Sequence, residues 1–126
     1  MAAPVRVVLV EDNAIFRESL ELLFGLRPGL EVVASIGDGS EAVAVVREQR
    51  PDVVVMDYRL PGLDGVQATA AIRAAVPDVA VVVLTGEVAP RELEALRDAG
   101  AAACLSKDQE LDDIVRAIER AATVTG

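Results

Sequence analysis

Four short apolar runs in this sequence are each followed, within two residues, by polar side chains that could do chemistry. These side chains belong to Glu11, Asp12, Asp57, Thr85 and Lys107. Three carboxylates at close range repel one another, and a hard divalent cation such as Mg²⁺, which prefers oxygen ligands, would hold them ionised. A metal ion, a hydroxyl group and an ammonium group around one aspartate would bind phosphoryl oxygens. Asp57 could then act as a nucleophile that forms an acyl phosphate, although an aspartate after a strand can also do no more than open a turn.

These side chains can meet only if the apolar runs are parallel strands of a single sheet, because the carboxyl ends of such strands share one edge. Short continuous runs rich in Val, Ile and Leu are typical of strands buried on both faces, and segments with helical apolar periodicity separate them. The strands are predicted at 6–10, 30–36, 53–57, 79–84 and 101–105, and the helices at 14–26, 41–50, 66–76, 90–99 and 111–122. We expect the strand at 30–36 to lie at an edge, and residues 123–126 to form a frayed tail.

This alternation of strands and helices predicts the fold class. Residues 1–126 are expected to form a single α/β domain, a doubly wound (βα)5 unit of the flavodoxin-like kind. Its parallel five-stranded sheet would have the order 2-1-3-4-5, with the switch point between the first and third strands. Both acidic positions, the pair Glu11–Asp12 and Asp57, are predicted to lie at that switch point.

The bulk composition excludes several classes of protein. A net charge of −9 argues against direct binding to nucleic acid or an anionic membrane. The absence of histidine removes Ser-His-Asp and Cys-His catalysis and histidine-ligated zinc, and the single cysteine leaves no internal disulfide. No apolar run reaches the ~18 residues of a membrane span, and the first residues lead into a strand rather than a signal peptide. We therefore expect a cytoplasmic protein with no membrane partner.

Over essentially its whole length the chain resembles a response-regulator receiver domain of two-component signalling, and most of all the receivers of the NarL/LuxR type. The motifs that carry this resemblance are Val-Leu-Val-Glu-Asp-Asn at 8–13, Met-Asp-Tyr-Arg-Leu-Pro-Gly-Leu-Asp-Gly at 56–65, Leu-Thr-Gly at 84–86, and Gly-Ala at 100–101 ahead of Leu-Ser-Lys-Asp at 105–108. Each motif alone is common, but the whole set in this order, each at a strand end, is specific.

The resemblance implies a phosphoacceptor site. Asp57 would accept a phosphoryl group from a phosphohistidine of a partner sensor histidine kinase, Thr85 would hydrogen-bond that group, and Lys107 would pair with it. Receivers of this family usually also dephosphorylate themselves, and Arg59 and Glu87 would flank the path of the attacking water. Our hypothesis is that these two opposite charges pair and slow that hydrolysis. The domain would be a signalling switch, not an enzyme that turns over a separate substrate.

The resemblance also implies Mg²⁺ as the cofactor. Asp12 and Asp57 would bind the ion directly, together with the main-chain carbonyl of Arg59. Glu11 would act through a water molecule.

Two residues depart from the family pattern. Three residues before Lys107 the family usually has an aromatic ring that turns inward when the threonine moves, and Cys104 stands there instead. We expect Cys104 to be a small buried hydrophobe rather than a redox sensor, so the output change would travel by movement around residues 86–99. Many receivers have a cis proline after the lysine, whereas here Asp108 follows; a non-proline cis bond costs ~3 kcal/mol, so we expect a trans bond.

Three other interpretations compete with the receiver domain. The pattern G-x-G-x-x-A at 37–42 matches a dinucleotide fingerprint, but it follows the second strand, and a glycine turn that opens a helix explains it as well. A haloacid-dehalogenase-like phosphatase would need a second acid two residues after Asp57, where Arg59 stands. The third alternative is a receiver-like interaction module that works without phosphorylation.

The resemblance implies partners beyond the kinase. We expect contact with DNA only through an effector domain that lies outside these 126 residues, because the receivers most similar to this chain precede a helix-turn-helix domain. On this view the chain is a portion of a longer transcription regulator, and phosphorylation would either alter self-association, with a homodimer as one form, or release the effector.

Overall fold

The computed structural model describes residues 3–60, 63–86 and 89–125, within which a single sheet of five parallel strands forms the centre of the molecule. The strands are β1 (Val5–Val10), β2 (Leu30–Ile36), β3 (Val53–Asp57), β4 (Ala80–Thr85) and β5 (Ala103–Ser106). They lie in the order β2-β1-β3-β4-β5, which confirms the predicted topology and the edge position of β2. The chain reverses its direction of winding between β1 and β3, the place where open α/β sheets form their ligand sites.

Helices cover both faces of the sheet. They are α1 (Ala14–Gly25), α2 (Ala42–Gln49), α3 (Gly65–Ala75), α4 (Pro90–Ala99) and α5 (Leu111–Thr125). Successive side chains of a strand point to opposite faces. Accordingly, Val7 and Leu9 of β1 pack with α1 and α5, whereas Val8 and Val10 pack with α2, α3 and α4. The near-absence of polar residues along these strands follows from their burial on both sides.

Local sequence signals set most helix ends where they were predicted. The side chain of Asn13 caps α1 by accepting the N–H of Phe16 over 3.0 Å. Pro90 stands in the first turn of α4, and Gly100 ends that helix in the left-handed conformation with φ +105°.

Two boundaries differ from the prediction by two residues or more, and several others differ by one. The last strand begins at Ala103 rather than at residue 101, because the N–H of Ala101 donates to the carbonyl of Leu96 and completes the end of α4. The expected frayed tail is helical as far as Thr125, the last described residue. Ala121 is buried in the core and anchors this last part of α5.

The segment between β3 and α3 holds a feature that the sequence pattern did not predict. Two short strands, Arg59–Leu60 and Leu63–Asp64, pair in an antiparallel hairpin. Pro61 and Gly62, which stand between these two strands in the sequence, lie outside the described residues. A short 3₁₀ turn, Gly39–Glu41, likewise precedes α2 and delays its start to Ala42.

Candidate functional site

The carboxylates of Glu11, Asp12 and Asp57 meet at the carboxyl edge of the sheet. Glu11 and Asp12 directly follow β1, Asp57 is the last residue of β3, and these two strands are neighbours. One oxygen from each carboxylate lies within 4.8 Å of the other two, so the three could share a metal ion. The predicted acidic cluster is therefore present in the structure.

Two of these three acids are buried. Glu11 is 2% exposed and Asp57 is 7% exposed, whereas Asp12 is open to solvent. A buried carboxylate is costly unless it is paired or coordinates a metal, so the partners of Glu11 and Asp57 are part of the site.

Lys107 bridges the two buried acids. Its Nζ lies 2.8 Å from Oε1 of Glu11 and 3.3 Å from Oδ1 of Asp57. Burial alone lowers the pKa of Lys107, but the hydrogen bonds and charges of the two carboxylates outweigh it, so that pKa is raised. Burial raises the pKa of Glu11, against the opposing hydrogen bonds from Lys107 and from the main chain of Asn13. One ammonium group shared by two buried acids leaves an excess of negative charge beside Asp12, which favours a further cation.

The loop of Glu11 and Asp12 is held in place by neighbouring groups. The N–H of Asn13 donates to Oε2 of Glu11 over 3.0 Å. The guanidinium group of Arg17 donates to the main-chain oxygen of Glu11 over 2.7 Å. Gly37 leaves room for this guanidinium, because a Cβ at residue 37 would lie 2.6 Å from Nη1 of Arg17. The first turns of α1 and the turn after β2 therefore position the acidic loop together.

Asp57 opens onto a cavity of about 460 Å³ that lies between the ends of β3, β4 and β5. The N–H of Arg59 donates to Oδ1 of Asp57 over 3.3 Å, and the N–H of Lys107 donates to the carbonyl of Thr85 over 2.8 Å. The residues that line the cavity are Asp57, Arg59, Thr85, Gly86 and Lys107. The structure therefore gathers a carboxylate, a hydroxyl and an ammonium group around a space that admits a phosphoryl group.

The structure describes one member of the predicted ion pair between Arg59 and Glu87. Arg59 is exposed at the rim of the cavity, whereas Glu87, its predicted partner, lies outside the described residues. The ion pair of Arg59 with Glu87, and the use of the Arg59 carbonyl as a metal ligand, stay predictions.

Cys104 lies on β5 on the face covered by α4, where it packs against the core as a half-buried side chain. Burial raises the pKa of its thiol, which disfavours the reactive thiolate. Beside it, a groove of about 340 Å³ runs between α4 and β5, lined in part by Leu93, Arg97 and Ala102. The packing fits a small hydrophobe at residue 104, and no large ring fills this position. No peptide bond in the described part of the chain is cis, as we expected for the bond between Lys107 and Asp108.

Two aromatic residues near the site were not identified from the sequence. The Nζ of Lys107 lies 4.7 Å from the centroid of the Phe16 ring. Tyr58, next to Asp57, is half-buried, and its hydroxyl donates to the carboxylate of Glu92 on α4. Burial first, and then the bond to Glu92, raise the pKa of Tyr58 to about 12. In the sequence Phe16 counts only as one apolar position of a helix, and nothing links Tyr58 to a residue on α4.

Side chains of the protein occupy the space beside the glycines of the turn after β2. Gly37 lies against Arg17, and a Cβ at Gly39 would lie 2.9 Å from Cδ1 of Leu60. The side chain of Asp38 accepts the N–H of Ser40 over 2.9 Å and closes the turn. These contacts support the turn interpretation of the G-x-G-x-x-A pattern over a dinucleotide site.

Comparisons with known proteins agree with this geometry. The family described as "Response regulator receiver domain" matches residues 7–119. A "Nitrate/nitrite response regulator protein homolog" of Haemophilus influenzae is 33% identical, over 97% of this chain and 59% of its own length. The "Transcriptional regulatory protein PdtaR" of Mycobacterium tuberculosis is 39% identical, over 95% of this chain and 58% of its own length.

Solved structures agree as well. The receiver domain of a response regulator NarL from Mycobacterium tuberculosis has a TM-score of 0.91 at 33% identity, covering 97% of this chain and 98% of that one. A LuxR-family two-component response regulator from Aurantimonas has a TM-score of 0.90 at 35% identity, covering 96% of this chain and 86% of that one.

The fold and the acidic cluster at its strand ends are those of a signalling receiver domain. The chain belongs to the response regulator receiver domain family, and its relatives are regulators of the NarL/LuxR type. It spans between 49% and 59% of the length of the curated relatives that it matches. Of the helices in the described part of the chain, none has the length and apolar character needed to cross a bilayer.

Proposed function

We propose that this chain is the phosphorylation switch of a two-component response regulator, with Asp57 as the phosphoacceptor. The proposal is carried by one observation: Asp57 lies where the acidic cluster, the ammonium group of Lys107 and the cavity at the strand ends all meet. A buried carboxylate with these neighbours has the surroundings that acyl phosphate formation requires.

The acidic cluster is chemically suited to Mg²⁺. Its donors are carboxylate oxygens within 4.8 Å of one another, and the chain has no histidine to favour a softer metal. Asp12 and Asp57 would hold the ion directly with the main-chain carbonyl of Arg59, and Glu11 would hold it through water. When bound, Mg²⁺ supplies positive charge to the phosphoryl oxygens during transfer.

Asp57, Lys107 and Thr85 each have a separate role in the proposed phosphoryl transfer. A carboxylate oxygen of Asp57 attacks phosphorus; the new O–P bond forms as the N–P bond of the phosphohistidine breaks, and the imidazole nitrogen that leaves takes a proton from solvent water. The ammonium group of Lys107, which already contacts Asp57, pairs with the charge that arrives on the phosphoryl oxygens. The hydroxyl of Thr85 donates to one of those oxygens, so that β4 and the start of α4 are tied to the phosphorylated state.

The proposed partners follow from this switch. The donor is a sensor histidine kinase, and the output is a DNA-binding domain of the kind found in response regulators that control transcription. Since Cys104 occupies the place of the usual aromatic ring, the change at Thr85 passes to α4 through the backbone, with a homodimer as one form of the activated state. Residues 1–126 act in this scheme as one receiver domain in the cytoplasm.

The first experiment is intact mass spectrometry after incubation with Mg²⁺ and acetyl phosphate. We expect a phosphoryl adduct on the wild-type protein that is absent without Mg²⁺ and absent in Asp57→Ala. Asp38→Asn, which changes an exposed acid of a nearby turn, is the matched control and should form the adduct normally.

The alternative is a receiver-like interaction module that works without phosphorylation. An adduct that persists in Asp57→Ala would reject the assigned acceptor. If neither acetyl phosphate nor a phosphorylated histidine kinase produced an adduct, the interaction module would replace the phosphorylation switch.

A further inference from the structure

Phe16 lies beside the acidic site, although in the sequence it is only one apolar position of a helix. It lies in the first turns of α1, and its N–H donates to the side chain of Asn13, whose own N–H donates to Glu11. The ring is therefore tied to the acidic loop through a single capping residue. Leu20 and Phe24 of α1 are buried in the core, and Phe16 packs against the same cluster of α1 and α5 residues.

The ring of Phe16 also contacts the lysine of the site. The Nζ of Lys107 lies 4.7 Å from the ring centroid, within the ~6 Å over which an aromatic face attracts a cation. The same ammonium group lies 2.8 Å from Glu11 and 3.3 Å from Asp57. Lys107 is thus surrounded by two carboxylates and one ring, with its side chain 24% exposed.

These partners of Lys107 differ in what can displace them. Glu11 and Asp57 belong to the acidic cluster and would be drawn to a divalent cation, which competes with the ammonium group for their oxygens. The Phe16 ring is neutral and has no ligand atom, so a cation in the cluster leaves its contact with Lys107 in place. A lysine side chain that lost all its partners would regain its rotamer freedom, which lowers the chance of finding it beside the acceptor.

We propose that Phe16 is a positioning residue, whose ring keeps the ammonium group of Lys107 beside Asp57 for pairing with the incoming phosphoryl group. This inference rests on the proposed function, because it assigns Phe16 a part in the same phosphoryl transfer. The ring acts through its electrostatic attraction for the ammonium group, and not through its volume in the core.

The test separates the attraction of the Phe16 ring for the ammonium group from the volume of the ring in the core. Phenylalanine analogues with one, two and three ring fluorines keep the shape of the side chain while they weaken its attraction for a cation. We expect the rate of Mg²⁺-dependent adduct formation with acetyl phosphate to fall with each fluorine at residue 16. The full series should reduce that rate about fivefold, the range of a partly buried cation–π contact.

Phe24 offers a matched control, since it is the other phenylalanine of the chain and is 0% exposed in the core. The same analogues at residue 24 should leave the rate unchanged. Phe16→Leu, which keeps an apolar side chain, should form the adduct more slowly than the wild type. Phe16→Trp, whose ring attracts a cation more strongly, should form it at the wild-type rate or faster.

A second readout does not require phosphorylation. Lys107 is the only lysine of the chain, so lysine labelled with carbon-13 gives one set of side-chain signals in the nuclear magnetic resonance spectrum. We expect an upfield ring-current shift of the ε-methylene signal that persists when Mg²⁺ is added and disappears in Phe16→Leu.

The outcomes distinguish the two proposals. If the wild-type protein forms no adduct, the proposed function fails, while the ε-methylene shift still reports on the contact. If the adduct forms at one rate in every fluorinated protein, or if the shift is lost on addition of Mg²⁺, Phe16 is only a core residue and the positioning role is rejected.

Discussion

The Nζ of Lys107 lies 2.8 Å from Oε1 of Glu11, although the two residues are separated by most of the chain. The same ammonium group also reaches Asp57, so one positive charge serves two buried acids. Because these acids belong to the cluster that could hold a metal ion, the lysine and the metal compete for the same oxygens. A metal ion in the cluster would therefore have to displace an ammonium group that already lies beside Asp57.

Removal of this positive charge should strengthen metal binding. We expect Lys107→Gln to raise the affinity for Mg²⁺ about tenfold, because a competing charge a few ångströms away is lost. The measurement is calorimetric titration of the protein with Mg²⁺. Arg116→Gln, which removes an exposed charge on α5, should leave the affinity unchanged. Equal affinities in wild-type protein and Lys107→Gln would contradict the competition.

The second prediction concerns the support of the acidic loop. In Gly37→Ala the new methyl group would meet Nη1 of Arg17 at 2.6 Å and displace the guanidinium from the main-chain oxygen of Glu11. We expect the affinity for Mg²⁺ to fall about tenfold, because Arg17 hydrogen-bonds the loop that carries the metal ligands, and loss of such supporting hydrogen bonds weakens metal binding. The stability to denaturant should change by less than about 1 kcal/mol, since a flexible side chain can move.

Gly39→Ala is the matched control for that experiment. Its methyl group would lie 2.9 Å from Cδ1 of the buried residue Leu60. The protein should lose about 1–2 kcal/mol of stability through overpacking and keep its affinity for Mg²⁺. The role of Arg17 would be refuted if both variants bound Mg²⁺ as the wild type does.

The third prediction uses the single tyrosine of this tryptophan-free chain. Burial, together with the hydrogen bond to Glu92, raises the pKa of Tyr58 to about 12 in the folded protein, against about 10 in an unfolded chain. The folded state thus keeps a proton that the unfolded state loses, so this contribution to stability is complete below pH about 10 and is lost as the pH rises towards about 12. An absorbance titration of tyrosinate should show the raised midpoint.

The matched variant for this titration is Glu92→Gln. It removes the charge beside the phenol, so the midpoint for Tyr58 should move back towards its ordinary value. Circular dichroism at each pH separates ionisation of the folded protein from unfolding. A wild-type midpoint at the ordinary value, in protein that is still folded, would show that Tyr58 is not held by Glu92.

Much of this protein could be predicted from its sequence by itself. Apolar runs that alternate with helical periodicity determine the order of strands and helices, because each element buries the side that its pattern makes apolar. Since parallel strands end on one side of a sheet, the residues after those runs had to share an edge, and Glu11, Asp12, Asp57, Thr85 and Lys107 do. The predicted starts of α1 and α4 are correct, and in the structure Asn13 caps α1 and Pro90 stands in the first turn of α4.

The tertiary structure alone decided which of these residues touch and what supports them. The exposure of Asp12, the ammonium group shared by Glu11 and Asp57, and the ring of Phe16 beside Lys107 depend on side-chain directions that no sequence spacing specifies. The helical end of α5 likewise results from burial of Ala121 against the core, which outweighs the weak helical propensity of the residues after it. Local pattern sets the elements because it acts within a few residues, whereas these contacts join parts of the chain that only folding brings together.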